Sequence, residues 1–452
     1  MGKIKNPYVL LLVLHLAIGF GVFLFEPLSD IYFLSVIGFF LFVIIKNGNK
    51  GNEVLMAAAY VSGGEVFFRM TGGSIFPYEA GKYGVIIFLI LGLFLSGTSR
   101  KSGMYWLYLF LLIPGIIVTA MNLGFEVNFR KTILFSLSGP LCLGIAALYC
   151  IDRRITVKQL QNVCWSLFMP IVAMGTYLYF FTPDTRDVLT GTGSNFAASG
   201  GFGPNQVSTA LGLGMFLVFV QIFTLQKRII FFFINLTLLS LLSYRAIVTF
   251  SRGGVFTAIV ISGLFLISYY NLVNVKVKRR TYIIMILIVV TGFFTWSLTS
   301  IQTEGLIDKR YANQDAAGRV KQDISTGRGV LISSELEAFI ENPITGVGVG
   351  KIKEYREQEY GIIAASHNEI SRLLSEHGLA GVIALIILIL YPLSYRIKNR
   401  RNFLFFPFLG FWFLTVNHSS MRIAAPALIY ALSLLNVVYE KKSPLHRKRL
   451  IK

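Results

Sequence analysis

Fourteen stretches of this chain are apolar for 15 to 22 residues at a time: 8–25, 28–45, 53–70, 82–99, 104–121, 129–150, 162–182, 205–225, 229–250, 254–272, 281–301, 378–394, 403–417 and 421–438. A bilayer span takes about 20 such residues. Only 14% of the chain is charged, where a soluble domain carries about 25%. Water cannot be the solvent for that much apolar surface, so the sequence predicts an all-α polytopic membrane protein with 12–14 spans. The third run is the weakest, because it holds Glu65, Arg69 and several small residues, and the last two are short. The first run follows lysines as a signal peptide would. It lacks a small-x-small cleavage site, and Glu26-Pro27 leads straight into the next run, so it reads as a retained span.

The net charge of +20 raises the possibility of a nucleic-acid partner. Its distribution argues otherwise. With the N-terminus in the cytoplasm and spans alternating, the inner segments hold 25 basic residues against three acids, Glu53, Asp152 and Glu440. The outer segments hold 17 basic residues and 19 acids. The inner basic residues include Lys3, Lys5, Lys227, Arg228, Arg400 and the tail after Glu440. The positive-inside rule thus accounts for the whole excess, with both termini cytoplasmic, and short basic loops suit anionic headgroups rather than nucleic acid.

The chain divides into N-terminal membrane helices (1–181), central helices with outer loops (182–301), a large outer loop (302–377), and C-terminal helices with a basic tail (378–452). Within the large loop, 329–341 reads as a helix with Val330, Ile332, Leu336, Phe339 and Ile340 on its apolar side, able to roof a cavity. Asn342-Pro343 stops it, and Gly346, Gly348 and Gly350 predict a flexible turn. No internal repeat of the transporter kind is visible.

Of five histidines, His15 lies in a span and His446 in the tail, leaving His367, His377 and His418 on the outer side. His367 and His377 are ten residues apart, so they share no helix face, and no acidic cluster offers a divalent-metal site. No metal or cofactor is expected. His367-Asn368 opens a helix at the water–lipid boundary, where an imidazole can act as a base near neutral pH or simply cap the helix. Arg245 and Arg252, in Ser251-Arg252-Gly253-Gly254, sit near the outer ends of spans with no acid in the same span. Each either snorkels to headgroups or grips an anion such as a phosphate. Arg328, in Thr326-Gly327-Arg328-Gly329, stands at a helix start, which also favours anions. Asn205 reads as an N-cap that also faces the cavity, and His418, in Asn417-His418-Ser419-Ser420, as either a loop residue or a substrate contact. Glu369, Arg372 and Glu376 read as a solvated salt-bridge chain, and Cys142, Cys150 and Cys164 as packing residues.

These residues resemble the bacterial O-antigen ligases and O-antigen polymerases. The ligases carry a histidine, then Asn, Ser or Gln, nine residues, Gly, two residues, and Gly, Thr or Tyr. His367-Asn368, Gly378 and Gly381 reproduce that spacing. Ser251-Arg252-Gly253-Gly254, Gly327-Arg328, the Pro343–Gly346–Gly348 turn and Gly203-Pro204-Asn205 are similar to further family motifs, in the family's order. The match is good from about Thr182 to Leu390. The resemblance implies a GT-C-like fold in the bacterial inner membrane and an inverting, metal-independent transfer at its periplasmic face. The donor would be a glycan on undecaprenyl diphosphate, gripped by Arg252, Arg328 and Arg245. His367 would serve as base, with Asn205, Asn368 and His418 as further substrate contacts. The acceptor would be lipid A–core in a ligase or a second lipid-linked glycan in a polymerase. A flippase or transporter of lipid-linked sugars is the alternative of another class.

Overall fold

The computed structural model describes residues 7–439 apart from 73–78, 123–128, 183, 190, 225–228, 324–326, 399–400 and 420. Lys3, Lys5, His446 and the tail from Glu440 lie outside the described residues, as do Lys227, Arg228, Thr326, Arg400 and Ser420.

Each of the fourteen runs contains helix. The membrane part begins with α1 (Pro7–Leu24), α2 (Leu28–Asn47), α3 (Glu53–Thr71), α4 (Ala80–Ser96), α5 (Gly103–Leu111), α6 (Ile113–Asn122), α7 (Phe129–Cys150) and α8 (Val157–Phe181). It continues with α9 (Pro204–Thr224), α10 (Ile229–Val248), α11 (Arg252–Tyr270) and α12 (Val275–Gln302). The outer assembly is α13 (Leu306–Tyr311), α14 (Arg328–Glu341) and α15 (Ile352–Tyr360), after which α16 (Glu369–Lys398), α17 (Phe405–Val416) and α18 (Ala425–Ser433) return to the apolar body. Among the described residues, ten helices are long and apolar enough to cross a membrane. The chain is a multi-pass membrane protein, and its lipid-facing surface agrees: Phe293, Ile286, Val289 and Phe294 on α12 are exposed, which only a hydrocarbon solvent tolerates.

The weak runs have physical explanations. α3 is an interior helix, packed between α4 and α8. Glu65 and Arg69 pair at 3.2 Å inside it, and both reach the 421–424 segment: Arg69 donates to the Arg422 carbonyl at 2.9 Å, and Glu65 accepts from the Ala424 N–H at 2.5 Å. A helix that meets protein on all sides needs no lipid-facing stripe. The last run departs from expectation. Its helix has only nine residues, about 14 Å of rise, so it does not by itself cross the bilayer. The run ends in a strand, β2 (Asn436–Val438), paired in parallel with β1 (Arg154–Thr156).

Loops assigned to the same side meet one another. Lys101 pairs with Asp152 at 2.8 Å, Arg153 donates to the Gly97 carbonyl at 3.0 Å and Tyr395 to Asp152 at 2.8 Å, all between segments predicted inner. The outer segments converge at the other end, where the site lies.

Candidate active site

Sharp corners bring distant parts of the predicted outer segments together. Between α10 and α11 the chain turns at Phe250, whose φ is +57°, and Arg310 on α13 donates through Nε to the Phe250 carbonyl at 3.0 Å. α11 then starts at Arg252, with its side chain at the cleft. The glycines that follow permit close approach: a methyl on Gly254 would lie 2.0 Å from the Ser208 carbonyl oxygen, and one on Gly253 2.4 Å from the His418 ring. Asn205 is not the N-cap expected. α9 already begins at Pro204, and the Asn205 side chain instead accepts from the Ser251 hydroxyl at 2.8 Å, tying the α9 start to the corner.

The second corner lies in α16. Gly378 has φ +55° and breaks the helix, and a methyl there would meet the Gly346 nitrogen and Ile344 carbonyl oxygen at 2.6 Å. The break frees carbonyls of the preceding turn. Val347 and Gly348 donate to them, to Ser375 at 2.9 Å and Glu376 at 3.2 Å, while Leu379 donates to Ile344 at 3.3 Å. The turn expected to be flexible is therefore clamped to the kink. The first turns of α16 are also less solvated than expected: Glu369 and Glu376 are buried. Glu369 pairs with Arg372, and Glu376 accepts from the Gly350 N–H at 2.9 Å.

Residues 361–368 lead into α16 without regular secondary structure. Asn368 caps that helix, accepting from the N–H groups of Ile370 at 2.8 Å and Ser371 at 3.2 Å, while its amide donates to Asn417 at 3.0 Å. Arg422 holds the Ser366 carbonyl at 2.8 Å. Arg356, fully buried, pairs with Glu335 at 2.7 Å and donates to Ser334 at 3.0 Å and to the Ala364 carbonyl. These contacts explain the face that α14 buries: Leu331, Ser334, Glu335 and Ala338, while Val330, Leu336 and Ile340 are exposed. The buried side of the helix includes Ser334 and Glu335 because its inner partner is a guanidinium, and several of its apolar residues are left on the outer side.

The result is a cleft of about 740 Å³ whose walls include Asn205, Arg252, Arg310, Lys321, Arg328 and His367. Among the described residues its lining holds four cationic side chains and no carboxylate. Burial, then the charges of Arg252 and Arg328, lowers the pKa of Arg310, and burial, then Arg252, lowers that of Arg328. The guanidinium groups repel one another, and an anion between them would relieve that repulsion. Burial first, then the charges of Arg422, Arg328, Arg356 and His418, brings His367 down to about 4. Its imidazole is neutral at physiological pH. Nδ1 is buried without a partner among the described residues, which leaves Nε2 for the cleft.

The structure thus brings Asn205, Arg252, Arg328 and His367 together, and adds Arg310 and Lys321. His418 lies under the floor, its Nε2 3.3 Å from the Thr209 hydroxyl and its Nδ1 2.9 Å from the Leu414 carbonyl. Arg245 does not reach the cleft. It is buried, donates to the carbonyls of Tyr179 and Thr182 at 3.0 Å, and stacks by Tyr179 and Tyr244 beside a separate apolar pocket. The carbonyls at the C-terminal end of α8 supply the electronegative partner that a same-span acid does not.

Fold and cleft together define a polytopic membrane protein with a cationic, histidine-bearing site at one end of its helices. Residues 236–386 match the model of the O-antigen ligase family, a stretch that contains Arg252, Arg310, Lys321, Arg328 and His367. Over that stretch the chain is similar to the O-antigen ligase family, as its motifs led one to expect. No curated protein matches the chain.

Proposed function

We propose that the protein is a glycosyltransferase that moves an undecaprenyl-diphosphate-linked glycan onto an acceptor hydroxyl at the periplasmic face of the bacterial inner membrane, as an O-antigen ligase with lipid A–core as acceptor. The observation that carries this reading is the pairing, in one cleft, of Arg252, Arg310, Lys321 and Arg328 without a carboxylate, beside the neutral imidazole of His367. The cations suit a diphosphate, which guanidinium forks bind through paired hydrogen bonds. An all-cationic wall disfavours a divalent metal, so stabilisation of the leaving group falls to the side chains themselves.

In this reading His367 Nε2 takes the proton from the acceptor hydroxyl as its oxygen attacks the anomeric carbon. The bond from that carbon to the diphosphate oxygen breaks, and undecaprenyl diphosphate leaves with its charge held by the arginines. Attack from the side opposite the leaving group inverts the anomeric centre. Bound diphosphate also offsets the positive field on His367 and raises its proton affinity toward the working range. Asn205 holds the corner that presents Arg252, Asn368 orients the start of α16, and His418 supports Gly253 from below.

Reconstitution with an undecaprenyl-diphosphate glycan and two acceptors, lipid A–core and a second lipid-linked unit, tests the assignment. A single addition to lipid A–core is the expected product. A ladder built on the lipid-linked unit makes the protein a polymerase of the same superfamily, and movement of the donor across the bilayer without transfer makes it a transporter.

A further inference from the structure

The wall between the cleft and its neighbour is one strand of backbone thick. Along this segment, Ile362, Ala364 and His367 line the cationic cleft, whereas Ile363, Ala365 and Ser366 line a second cavity of about 620 Å³. The two spaces are similar in size and differ in charge. The second has four basic residues in its lining, Lys82, Lys353, Arg372 and Arg422, and three acidic ones, Glu354, Glu357 and Glu376. Most of these are already answered inside the protein. Glu354 pairs with Lys351 at 2.6 Å, Lys82 with Glu79 at 3.2 Å and Arg372 with Glu369, while Glu376 takes the Gly350 N–H.

A polyanion gains little in such a space. A ligand rich in hydroxyls gains more, because it can donate to carboxylates and accept from ammonium and guanidinium groups at once. Apolar side chains of Phe135, Ile363 and Met421 in the same lining suit the C–H faces of sugar rings. The cavity also touches the chemistry: Arg422 lies in its wall, holds the Ser366 carbonyl, and is the foremost charged neighbour acting on His367.

We propose that the second cavity, across the 361–368 segment from the cationic cleft, binds a phosphate-free or charge-balanced saccharide, which in the transferase reading is the acceptor. The word acceptor rests on the transferase reading above, whereas saccharide binding does not. No covalent step beyond the transfer already described is involved.

The full-length protein in lipid nanodiscs allows both to be tested. The probe is the core oligosaccharide of the lipid A–core acceptor, freed of its lipid and stripped of phosphate. Saturable binding is expected, weakened at least about tenfold when an indole is forced into the cavity by Ala365→Trp. Binding should be unchanged in Arg252→Gln and not displaced by inorganic pyrophosphate. Ile363→Trp fills the same space from an exposed position and serves if Ala365→Trp misfolds, with Tm reporting folding for each. During turnover, both variants should raise the acceptor KM and leave the donor KM unchanged. No saturable binding, displacement by pyrophosphate, or wild-type affinity in both folded variants overturns the saccharide site. Binding as expected with no glycan released from the diphosphate donor leaves the site standing and removes the transferase reading instead.

Discussion

The two cavities flanking residues 361–368 are built from neighbouring elements yet treat charge in opposite ways. In the cationic cleft, Arg252, Arg310, Lys321 and Arg328 face one another with no carboxylate in the lining. In the other, four basic and three acidic residues share the lining, and most are tied into ion pairs or backbone hydrogen bonds. The difference teaches which ligand charge each space would favour. A wall whose charges offset one another gains little from an ion, whereas guanidinium groups that lower one another's pKa gain from an anion. Folding alone would favour the first arrangement everywhere, so the second marks the place where stability has been exchanged for binding.

His367→Ala should break the comparison hardest. With the base gone, transfer is expected to fall by about 10²–10⁴-fold, while donor binding in the cationic cleft and sugar binding in the other remain. Wild-type transfer by a correctly inserted His367→Ala protein would remove the histidine from the chemistry. Arg252→Gln comes next. Losing one charge-assisted contact of about 1.5–3 kcal/mol should cost roughly 10–150-fold in donor affinity, measured by donor binding and by kcat/KM, with acceptor KM unmoved. An equal effect on both substrates would mean that the two cavities are not separate in function.

Arg356→Met attacks the wall itself. It leaves the Glu335 carboxylate buried without its partner and releases the Ala364 carbonyl, a loss of about 3–5 kcal/mol in stability by the usual behaviour of broken buried pairs. A lowered Tm in detergent should accompany changes in donor and acceptor KM together, because the partition belongs to both sites. A lowered Tm with both KM values intact would show that residues 361–368 are held in other ways.

The pH profile offers a milder test with a definite sign. His367 is lowered to about 4, by burial before anything else, so the free enzyme already holds it neutral throughout pH 5–8. The acid limb of kcat/KM should therefore stay flat to below pH 5, where an imidazole of ordinary pKa would have lost about tenfold by pH 5.5. In kcat the limb should move upward, since bound diphosphate offsets the arginines. A kcat/KM limb near 6.5 would mean that His367 is not buried among cations in solution.

Much of this site could be read from the sequence because its parts carry local signatures. Gly378 and Gly381 are the residues a sharp helix break demands, and Gly253 and Gly254 those that close helix approach demands, so Arg252 and His367 came with recognisable neighbours. Arg310 and Lys321 have no such neighbours, and only tertiary structure shows that they share a wall. Glu335 and Arg356 lie 21 residues apart, and their buried pairing has no local signature, because hydrophobic patterning assumes that the inner side of a helix is apolar. The same assumption undervalued α3, whose Glu65 and Arg69 are interior. A hydrophobic run weakens where a helix carries a buried polar pair, as α3 does, whereas α9 is buried nearly throughout and still reads as a strong run.

Arg245 gives the finest test, because sequence position placed it with the diphosphate-binding arginines and the structure places it elsewhere. Its guanidinium closes the end of α8 through the carbonyls of Tyr179 and Thr182, a task an ammonium can perform in part. Arg245→Lys should thus lower Tm slightly and leave donor KM at its wild-type value, in contrast to Arg252→Lys, where loss of the planar fork weakens donor binding. If Arg245→Lys raises donor KM as much as Arg252→Lys does, the cationic cleft extends beyond the residues that line it here, and the boundary drawn between cleft and scaffold at the α10–α11 corner is in the wrong place.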